Sequence, residues 1–130
     1  MAYPQWLALK GTKMSDILND LYELVERRKA EKEENSYTSY LFEEGLDKIL
    51  KKLGEECSET IIAAKNFEAC EGEVDGSRDA VTNESSDLIY HLIVMLSELG
   101  VRPEEIEDIL RTRMQQTGNL KQPHKTDKNT

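Results

Sequence analysis

Hydrophobic residues recur along this chain at spacings of three and four positions, which is the period of an α-helix. No stretch alternates β-branched with polar residues as a half-buried strand would. The pattern predicts four helical segments: residues 15–33, a second segment that ends near residue 69, residues 78–99, and a short segment that follows Pro103. We therefore predict an all-α fold, a four-helix bundle.

Small polar residues and glycines mark the ends of these segments. Residues 35–39 read Asn-Ser-Tyr-Thr-Ser and supply hydroxyl groups that can cap the second segment. Gly45 indicates a break in that segment or a close approach of another part of the chain. Residues 71–77 contain two glycines and are predicted to form a loop, and Gly100 is predicted to end the third helix.

The hydrophobic stripes predict which side of each helix faces the core. In the first helix the inward residues are Ile17, Leu18, Leu21, Leu24 and Val25. In the second they are Leu46, Ile49, Leu50, Leu53, Cys57, Ile61 and Ala64. In the third they are Val81, Leu88, Leu92, Met95, Leu96 and Leu99. This assignment leaves hydrophobic residues on the outer faces of helices two and three, namely Ile62, Ile89, Ile93 and Val94. We expect a second copy of the chain to cover them, as a homodimer.

Length and composition indicate one domain, over residues 14–116. A chain of 130 residues has the size of a single domain. Residues 1–13 lack a regular period and precede a second methionine, Met14, so we interpret them as a non-native or disordered extension. Residues 117–130 are polar and aperiodic, and they are predicted to be a disordered tail.

Charge and cysteine content exclude several classes of protein. The formal net charge is −9, and no Lys/Arg-rich face is present, so we predict no nucleic-acid partner. No run of about 18 apolar residues is present, so no membrane segment is predicted. Cys57 and Cys70 lack the spacing of a zinc site or a disulfide framework, which favours a cytoplasmic location.

Two pairs of acidic residues share one spacing: Glu56 with Glu59, and Glu84 with Asp87. Residues three positions apart are neighbours on a helix surface, so two packed helices could gather all four carboxylates. Glu55 and Glu59 are like charges four positions apart, an arrangement that costs about 0.2–0.5 kcal/mol in an isolated helix. Carboxylate oxygens are preferred ligands of Mg²⁺, which commonly acts on substrate phosphates. The pattern therefore predicts a magnesium site.

Salt bridges or a di-iron centre could also account for acidic residues on these helices. Lys52 stands one turn before Glu56, but salt bridging leaves Glu84 and Asp87 without an evident partner. A di-iron carboxylate bundle requires Glu-x-x-His on two helices, which this chain lacks. His91, one turn after Asp87, could either bond a neighbouring acid or take part in the site.

Further short motifs accompany the acid pairs. They read Ser36-Tyr37-Thr38, Gly45, Lys51-Lys52-x-Gly54-Glu55-Glu56-x-x-Glu59, Ala63-Ala64-Lys65 and Glu84-x-x-Asp87-Leu88-x-Tyr90-His91-Leu92. Together they resemble the phosphoribosyl-ATP pyrophosphatases, a branch of the all-α nucleoside-triphosphate pyrophosphohydrolases that include MazG and the dimeric dUTPases. The resemblance spans roughly residues 15–114. The Ser-Tyr-Thr and Asp-Leu-x-Tyr-His-Leu runs narrow it to this branch. Many relatives are fused to a cyclohydrolase domain whose metal-binding histidines and cysteines are absent from this sequence, so we expect the free-standing form.

The resemblance implies a MazG-like bundle, completed by dimerisation, that acts on a nucleotide. The reaction would be Mg²⁺-dependent hydrolysis of 1-(5-phosphoribosyl)-ATP to 1-(5-phosphoribosyl)-AMP and pyrophosphate, the second step of histidine biosynthesis. By motif, the metal ligands would be Glu56, Glu59, Glu84 and Asp87. Glu55 would be a ligand of a further ion or the base for water, which makes Glu55, Glu56 and Glu59 the catalytic candidates.

Substrate binding needs positive and polar groups beside the acids. Lys52, one turn before Glu56, is the first candidate for a phosphate contact. The remaining candidates are Lys51, Lys65, Arg111, Arg113, Ser36, Tyr37, Thr38 and His91. Each of the lysines could equally be a solvated helix residue, and Ser36 to Thr38 could serve only as a cap.

The acid pairs are also compatible with two further functions. A house-cleaning pyrophosphohydrolase would use the same acids on ordinary or damaged nucleoside triphosphates, and substrate profiling would distinguish it. A non-catalytic helical dimerisation module would keep the acids for folding or for metal-dependent stability. In that case Glu59→Gln would alter melting without any activity to abolish.

Overall fold

The computed structural model describes residues 14–115, and these residues form five α-helices. The helices are α1 (Met14–Ala30), α2 (Tyr37–Glu44), α3 (Leu46–Ala69), α4 (Ser77–Leu99) and α5 (Pro103–Gln115). No strand is present in the described part of the chain, so the prediction of an all-α fold is confirmed. The predicted extension over residues 1–13 and the predicted tail over residues 117–130 lie outside it.

The structure has one helix more than the pattern predicted, because the second segment is divided at Gly45. Gly45 has φ 91° and ψ −178°, a backbone conformation that side-chain-bearing residues rarely adopt. Nothing lies within 4 Å of the position that a Cβ would occupy there. The positive φ therefore explains why a glycine occupies position 45, whereas a close approach of another part of the chain does not. At the other end of α2 the Ser36 side chain accepts a hydrogen bond from the Ser39 N–H, as the capping prediction required.

The most extensive helix pairing in the described residues is between α3 and α4, which are joined by residues 70–76. α1 packs on α4, α2 packs on both α1 and α3, and α5 packs on α1. The hydrophobic core cluster is formed by Tyr22, Val25, Leu41, Ile49, Ile93, Val94 and Leu96. The core therefore lies mainly between α1, α2 and the second half of α4, and the α3–α4 interface extends beyond it.

The rotation of α4 about its axis differs from the prediction. Ile93 and Val94, predicted on an outer face, are 3% and 0% exposed, and Ile89 packs against the core cluster. Leu92 and Leu99, predicted inward, are exposed. Residues 92–96 are all hydrophobic, so their period does not select one face, and packing against α1 decides which residues are buried.

The predicted stripes of α1 and α3 need similar corrections. Six residues predicted inward are exposed: Ile17, Leu24, Leu50, Cys57, Ile61 and Ala64. In α3, Glu56 and Ala63 are buried in their place, because α3 turns its acidic side toward α4. Ile62, predicted on an outer face, is exposed as expected.

Candidate active site

The α3–α4 interface brings three carboxylates together. Oxygen atoms of Glu56, Glu84 and Asp87 all lie within 4.8 Å of one another. Partial burial and the neighbouring carboxylates of Glu59 and Glu56 raise the pKa of Glu84, so Glu59 lies at the edge of the same cluster. Three of the four carboxylates of the two acidic pairs therefore converge, and the fourth, Glu59, lies beside Glu84.

Glu56 is the most buried member of this cluster, at 6% exposed. Its Oε2 atom is buried and has no hydrogen-bond partner among the described residues. Burial raises the pKa of Glu56 and repulsion from Glu59 and Asp87 raises it further, whereas His91 and Lys52 lower it. A buried carboxylate oxygen without a partner is costly, and a bound cation would satisfy it.

The donor set fits a hard divalent cation. Three carboxylates supply only oxygen ligands, which is the chemistry that Mg²⁺ prefers, and nitrogen and sulfur ligands of the kind that zinc selects are not part of the cluster. The unpartnered Oε2 of Glu56 is available for coordination. Glu56, Glu84 and Asp87 could therefore hold the ion, with Glu59 beside them.

Lys52 is the positive side chain of α3 that reaches the acids. Its Nζ lies 2.7 Å from Oε2 of Glu55 and 3.9 Å from Oε1 of Glu56. The hydrogen bond from Lys52 lowers the pKa of Glu55. Within the described residues no ion pair involves Glu84 or Asp87. Salt bridging thus accounts for Glu55 and part of Glu56 and leaves the acids of α4 unexplained.

His91 lies buried behind the acid cluster, at 4% exposed. Its Nδ1 is 2.8 Å from the backbone oxygen of Asp87, and its Nε2 is 3.2 Å from the Tyr37 hydroxyl. A carbonyl oxygen can only accept, so Nδ1–H donates to the Asp87 oxygen, and Nε2 shares a hydrogen bond with the Tyr37 hydroxyl. Nδ1 is also 3.8 Å from Oε1 of Glu56. Both ring nitrogens of His91 are therefore engaged by contacts within the chain.

The Ser-Tyr-Thr run at the start of α2 meets the Tyr-His run of α4. Ser36 caps α2, and the Thr38 hydroxyl bonds the Tyr90 hydroxyl. The Tyr37 ring is 46% exposed and stacks with Tyr40 and Tyr90 at centroid distances of 6.0 and 6.3 Å. The two motifs that narrowed the family resemblance therefore contact each other in the folded chain. They present an exposed aromatic surface next to the acids.

The other positively charged residues predicted to bind substrate either pair with an acid of their own helix or are exposed. Lys65 pairs with Glu68 in the same helix, and Arg111 pairs with Glu107 in α5. Lys51 is exposed on α3, and Arg113 is exposed in the last turn of α5. Of the cations proposed from the sequence, Lys52 is the one whose ion pairs reach the acid cluster among the described residues.

Thr60 was not among the site residues predicted from the sequence. Its Oγ1 is 2.7 Å from the backbone oxygen of Glu56 and 3.2 Å from that of Glu84. A threonine within a helix commonly bonds the carbonyl four residues earlier, so its identity carries no signal of a contact with another helix. Only the packing of α3 on α4 reveals it.

Fold and site together define a class of protein. The chain is all-α and gathers acids of both pairs from neighbouring helices, the arrangement that the sequence resemblance predicts for the all-α nucleoside-triphosphate pyrophosphohydrolases.

No helix in residues 14–115 has the length and apolar character needed to cross a membrane.

Comparison with known proteins narrows the class to a family. The model of the phosphoribosyl-ATP pyrophosphohydrolase family matches residues 18–114. A phosphoribosyl-ATP pyrophosphatase of Streptococcus thermophilus is 46% identical over 104 residues, 80% of this chain and 91% of that protein. A phosphoribosyl-ATP pyrophosphatase of Clostridium novyi is 43% identical over 106 residues, 82% of this chain and 88% of that protein. The histidine biosynthesis bifunctional protein HisIE of Caldanaerobacter subterraneus is 48% identical over 98 residues, 75% of this chain and 43% of that protein. The chain belongs to the phosphoribosyl-ATP pyrophosphohydrolase family.

Proposed function

We propose that this chain hydrolyses 1-(5-phosphoribosyl)-ATP to 1-(5-phosphoribosyl)-AMP and pyrophosphate, a Mg²⁺-dependent step of histidine biosynthesis. Membership of the family supports the reaction. The observation that carries the metal dependence is the convergence of carboxylate oxygens from Glu56, Glu84 and Asp87 within 4.8 Å of one another. The free thiols of Cys57 and Cys70 support a cytoplasmic location.

The acids of the α3–α4 interface would bind the metal. Glu56, Glu84 and Asp87 would hold Mg²⁺, and Glu59 would complete or flank its coordination. The bound ion would supply charge neutralisation and orientation of the polyphosphate. This help is needed because a chain with a net charge of −9 repels an anionic substrate at long range.

The side chains around the metal would bind the substrate and take up the proton. Lys52 lies next to the acids and would contact phosphate oxygens, exchanging its bond to Glu55 for one to the substrate. A water oxygen would attack the α-phosphorus, and the bond to the bridging oxygen would break, so that pyrophosphate leaves with the electron pair. One carboxylate would accept the proton of the water, either Glu59 beside Glu84 or Glu55, which Lys52 links to Glu56.

The aromatic face beside the acids would hold the nucleotide. Tyr37 and Tyr40 are both exposed and stacked, and an exposed ring can stack on a nucleobase. The hydrogen bond of the Tyr37 hydroxyl to His91 holds the Tyr37 ring in place. Ser36 and Thr38 would act through the position of α2, because their hydroxyls are used by the cap and by Tyr90.

Pyrophosphate release from phosphoribosyl-ATP tests the proposal. The parent chain with Mg²⁺ is compared with Glu56→Gln and Asp87→Asn, which keep side-chain size and remove charge. We expect both to lose at least about a hundredfold in rate, because groups that stabilise transition-state charge commonly contribute that much. Glu68→Gln is the control, since Glu68 is an exposed acid of the same helix that pairs with Lys65.

Two results would contradict the proposal. A folded parent chain that releases no pyrophosphate from phosphoribosyl-ATP would exclude the reaction and would favour the non-catalytic module. Equal turnover of ordinary nucleoside triphosphates would exclude the specific substrate and would favour the house-cleaning enzyme.

We also propose that the chain forms a homodimer. The support is an apolar groove of about 380 Å³ between α1, α4 and α5. Its lining includes Leu18, Leu92, Ile93, Ile106 and Leu110. Leu92, Ile106 and Leu110 are exposed in the single chain, and a second copy would bury them.

Light scattering during size-exclusion chromatography tests the dimer. We expect twice the chain mass for the parent and one chain mass for Leu92→Glu, because a charge in an apolar interface is costly. Val74→Glu is the control, since Val74 is an exposed hydrophobic residue of the loop before α4. A monomeric parent, or an unchanged mass for Leu92→Glu, would contradict the proposal.

A further inference from the structure

Thr60 contacts the backbones that carry two of the converging acids. It lies on α3, one position after Glu59, and is half-buried. Its Oγ1 is 2.7 Å from the carbonyl oxygen of Glu56 in its own helix and 3.2 Å from the carbonyl oxygen of Glu84 in α4. Glu56 and Glu84 are also two of the three residues whose carboxylate oxygens converge. One hydroxyl therefore bridges the two helices at the level of the acid cluster.

The bond to a backbone carbonyl of another helix distinguishes Thr60 from Thr82 and Thr112. A hydroxyl has one hydrogen, so it reaches both carbonyls as a shared, three-centre hydrogen bond. Thr82 and Thr112 are exposed, and each contacts only a carbonyl four positions earlier in its own helix, at 3.0 Å, among the described residues. The own-helix bond is common, whereas the bond across the helix pair is particular to Thr60.

The spacing of ligand-bearing backbones matters most for a small cation. Mg²⁺ requires near-octahedral geometry with oxygen ligands at about 2.0–2.1 Å, so it tolerates little change in the separation of its ligands. Glu56 and Glu84 stand on different helices, and without a cation their carboxylates repel each other. A hydrogen bond between the two helices at this level opposes that repulsion.

We propose that Thr60 is a positioning residue that holds Glu56 and Glu84 at the separation a divalent cation requires. The inference rests on the proposed function, because it takes these acids as metal ligands. It extends that proposal to a residue outside the acidic motifs, one that neither carries a charge nor contacts the ion.

Titration calorimetry with Mg²⁺ and with Mn²⁺, in the absence of substrate, tests the proposal. Thr60→Val keeps the shape and removes the hydroxyl, Thr60→Ser keeps the hydroxyl, and Thr82→Val removes a hydroxyl that bonds only its own helix. We expect Thr60→Val to weaken cation binding about threefold to tenfold, the effect of one neutral hydrogen bond. Thr60→Ser and Thr82→Val should bind the cation as the parent does.

Two further readouts separate positioning from general stability. The Mg²⁺ concentration for half-maximal pyrophosphate release should rise by the same factor in Thr60→Val, with the rate at saturating Mg²⁺ little changed. The rise in melting temperature from chelator to saturating Mg²⁺ should be smaller in Thr60→Val than in Thr82→Val, because weaker cation binding stabilises the folded chain less. A fall in melting temperature without weaker cation binding would identify a merely structural residue and overturn the proposal.

The failure of this inference and the failure of the proposed function give different results. A parent chain that binds no divalent cation overturns the metal site and the role of Thr60 with it. A parent that binds Mg²⁺ while Thr60→Val binds it equally well overturns only the role of Thr60. Weaker binding in Thr60→Ser as well as in Thr60→Val would assign the effect to packing and would also overturn it.

Discussion

The two halves of α4 have opposite chemistry. The first half, residues 77–91, carries Glu84 and Asp87 at the interface with α3, where they meet a third acid. The second half, residues 92–99, supplies Val94 and its hydrophobic neighbours to the core. Burial of apolar surface stabilises the second half, whereas the first half gathers like charges that destabilise it in the absence of a cation.

The contrast shows how a single helix can hold a cluster of carboxylates whose mutual repulsion is unfavourable. The hydrophobic half packs in the core cluster, and the acidic half belongs to the same continuous helix, so burial of the hydrophobic half helps to hold the acids at the interface with α3. His91 stands at the boundary, buried between Tyr37 and the backbone of Asp87. The turns of α4 that supply core packing therefore differ from the turns that carry the acids of the proposed metal site.

The largest effect on stability should come from the hydrophobic half. Ile93→Ala removes a side chain that is buried in the core cluster and should lower the free energy of unfolding by about 2–5 kcal/mol. Ile61→Ala, at an exposed position of α3, should change it by about 0.5 kcal/mol or less. Urea unfolding at equal protein concentration measures both. Equal losses would mean that the core does not lie where α4 meets α1.

The acidic half should control activity and not stability. Glu84→Gln should lower the rate of pyrophosphate release by about a hundredfold to a thousandfold, since it removes a charge that would hold the metal under the proposed function. In a chelator its melting temperature should equal or exceed that of the parent, because a repulsive charge is lost. Glu98→Gln, an acid in the second half of the same helix, is the matched control. A variant of Glu84 that unfolds in the chelator would contradict the division between the halves.

The boundary between the halves can be tested at Tyr37. Tyr37→Phe keeps the ring and leaves Nε2 of the buried His91 without its partner, which should cost about 1–3 kcal/mol in unfolding free energy. Tyr40→Phe removes a hydroxyl from the neighbouring exposed ring and should cost about 0.5 kcal/mol or less. Chemical denaturation followed by circular dichroism compares the two. Indistinguishable variants would show that the Tyr37–His91 bond adds nothing to stability.

The smallest expected effect is a pH dependence that comes from Glu56. Burial raises its pKa above 4.5 in the folded chain, so the folded state holds this proton more tightly than the unfolded state. The stabilisation that comes from protonating Glu56 is therefore fully present at pH values below the pKa of this residue in the unfolded chain. It is lost as the pH rises through the pKa that Glu56 has in the folded chain. The measurement is the free energy of unfolding of the parent minus that of Glu56→Gln, with a chelator present. This difference should fall as the pH rises from about 4.5 toward neutral. A difference that stays flat or rises with pH would contradict the burial of a repelled carboxylate. Saturating Mg²⁺ should reverse the trend, since the ion favours the charged form.

Local features of this chain could be predicted from its sequence. The helical period, the cap at Ser36 and the break at Gly45 depend on covalent geometry and on neighbouring residues. The acid pairs were also recognisable, because residues three apart share a helix side in any fold. Their convergence requires the two helices to be neighbours, and the packing of α3 on α4 brings three of the four acids together.

The tertiary structure decided which residues of each predicted hydrophobic stripe are buried. Residues 92–96 are hydrophobic on every side, so their period could not show that Ile93 and Val94 face the core. The cross-helix bond of Thr60 and the burial of His91 likewise depend on where a second helix lies. Local spacing is determined by the backbone of one helix, whereas burial is determined by the surfaces that two or more helices present to each other.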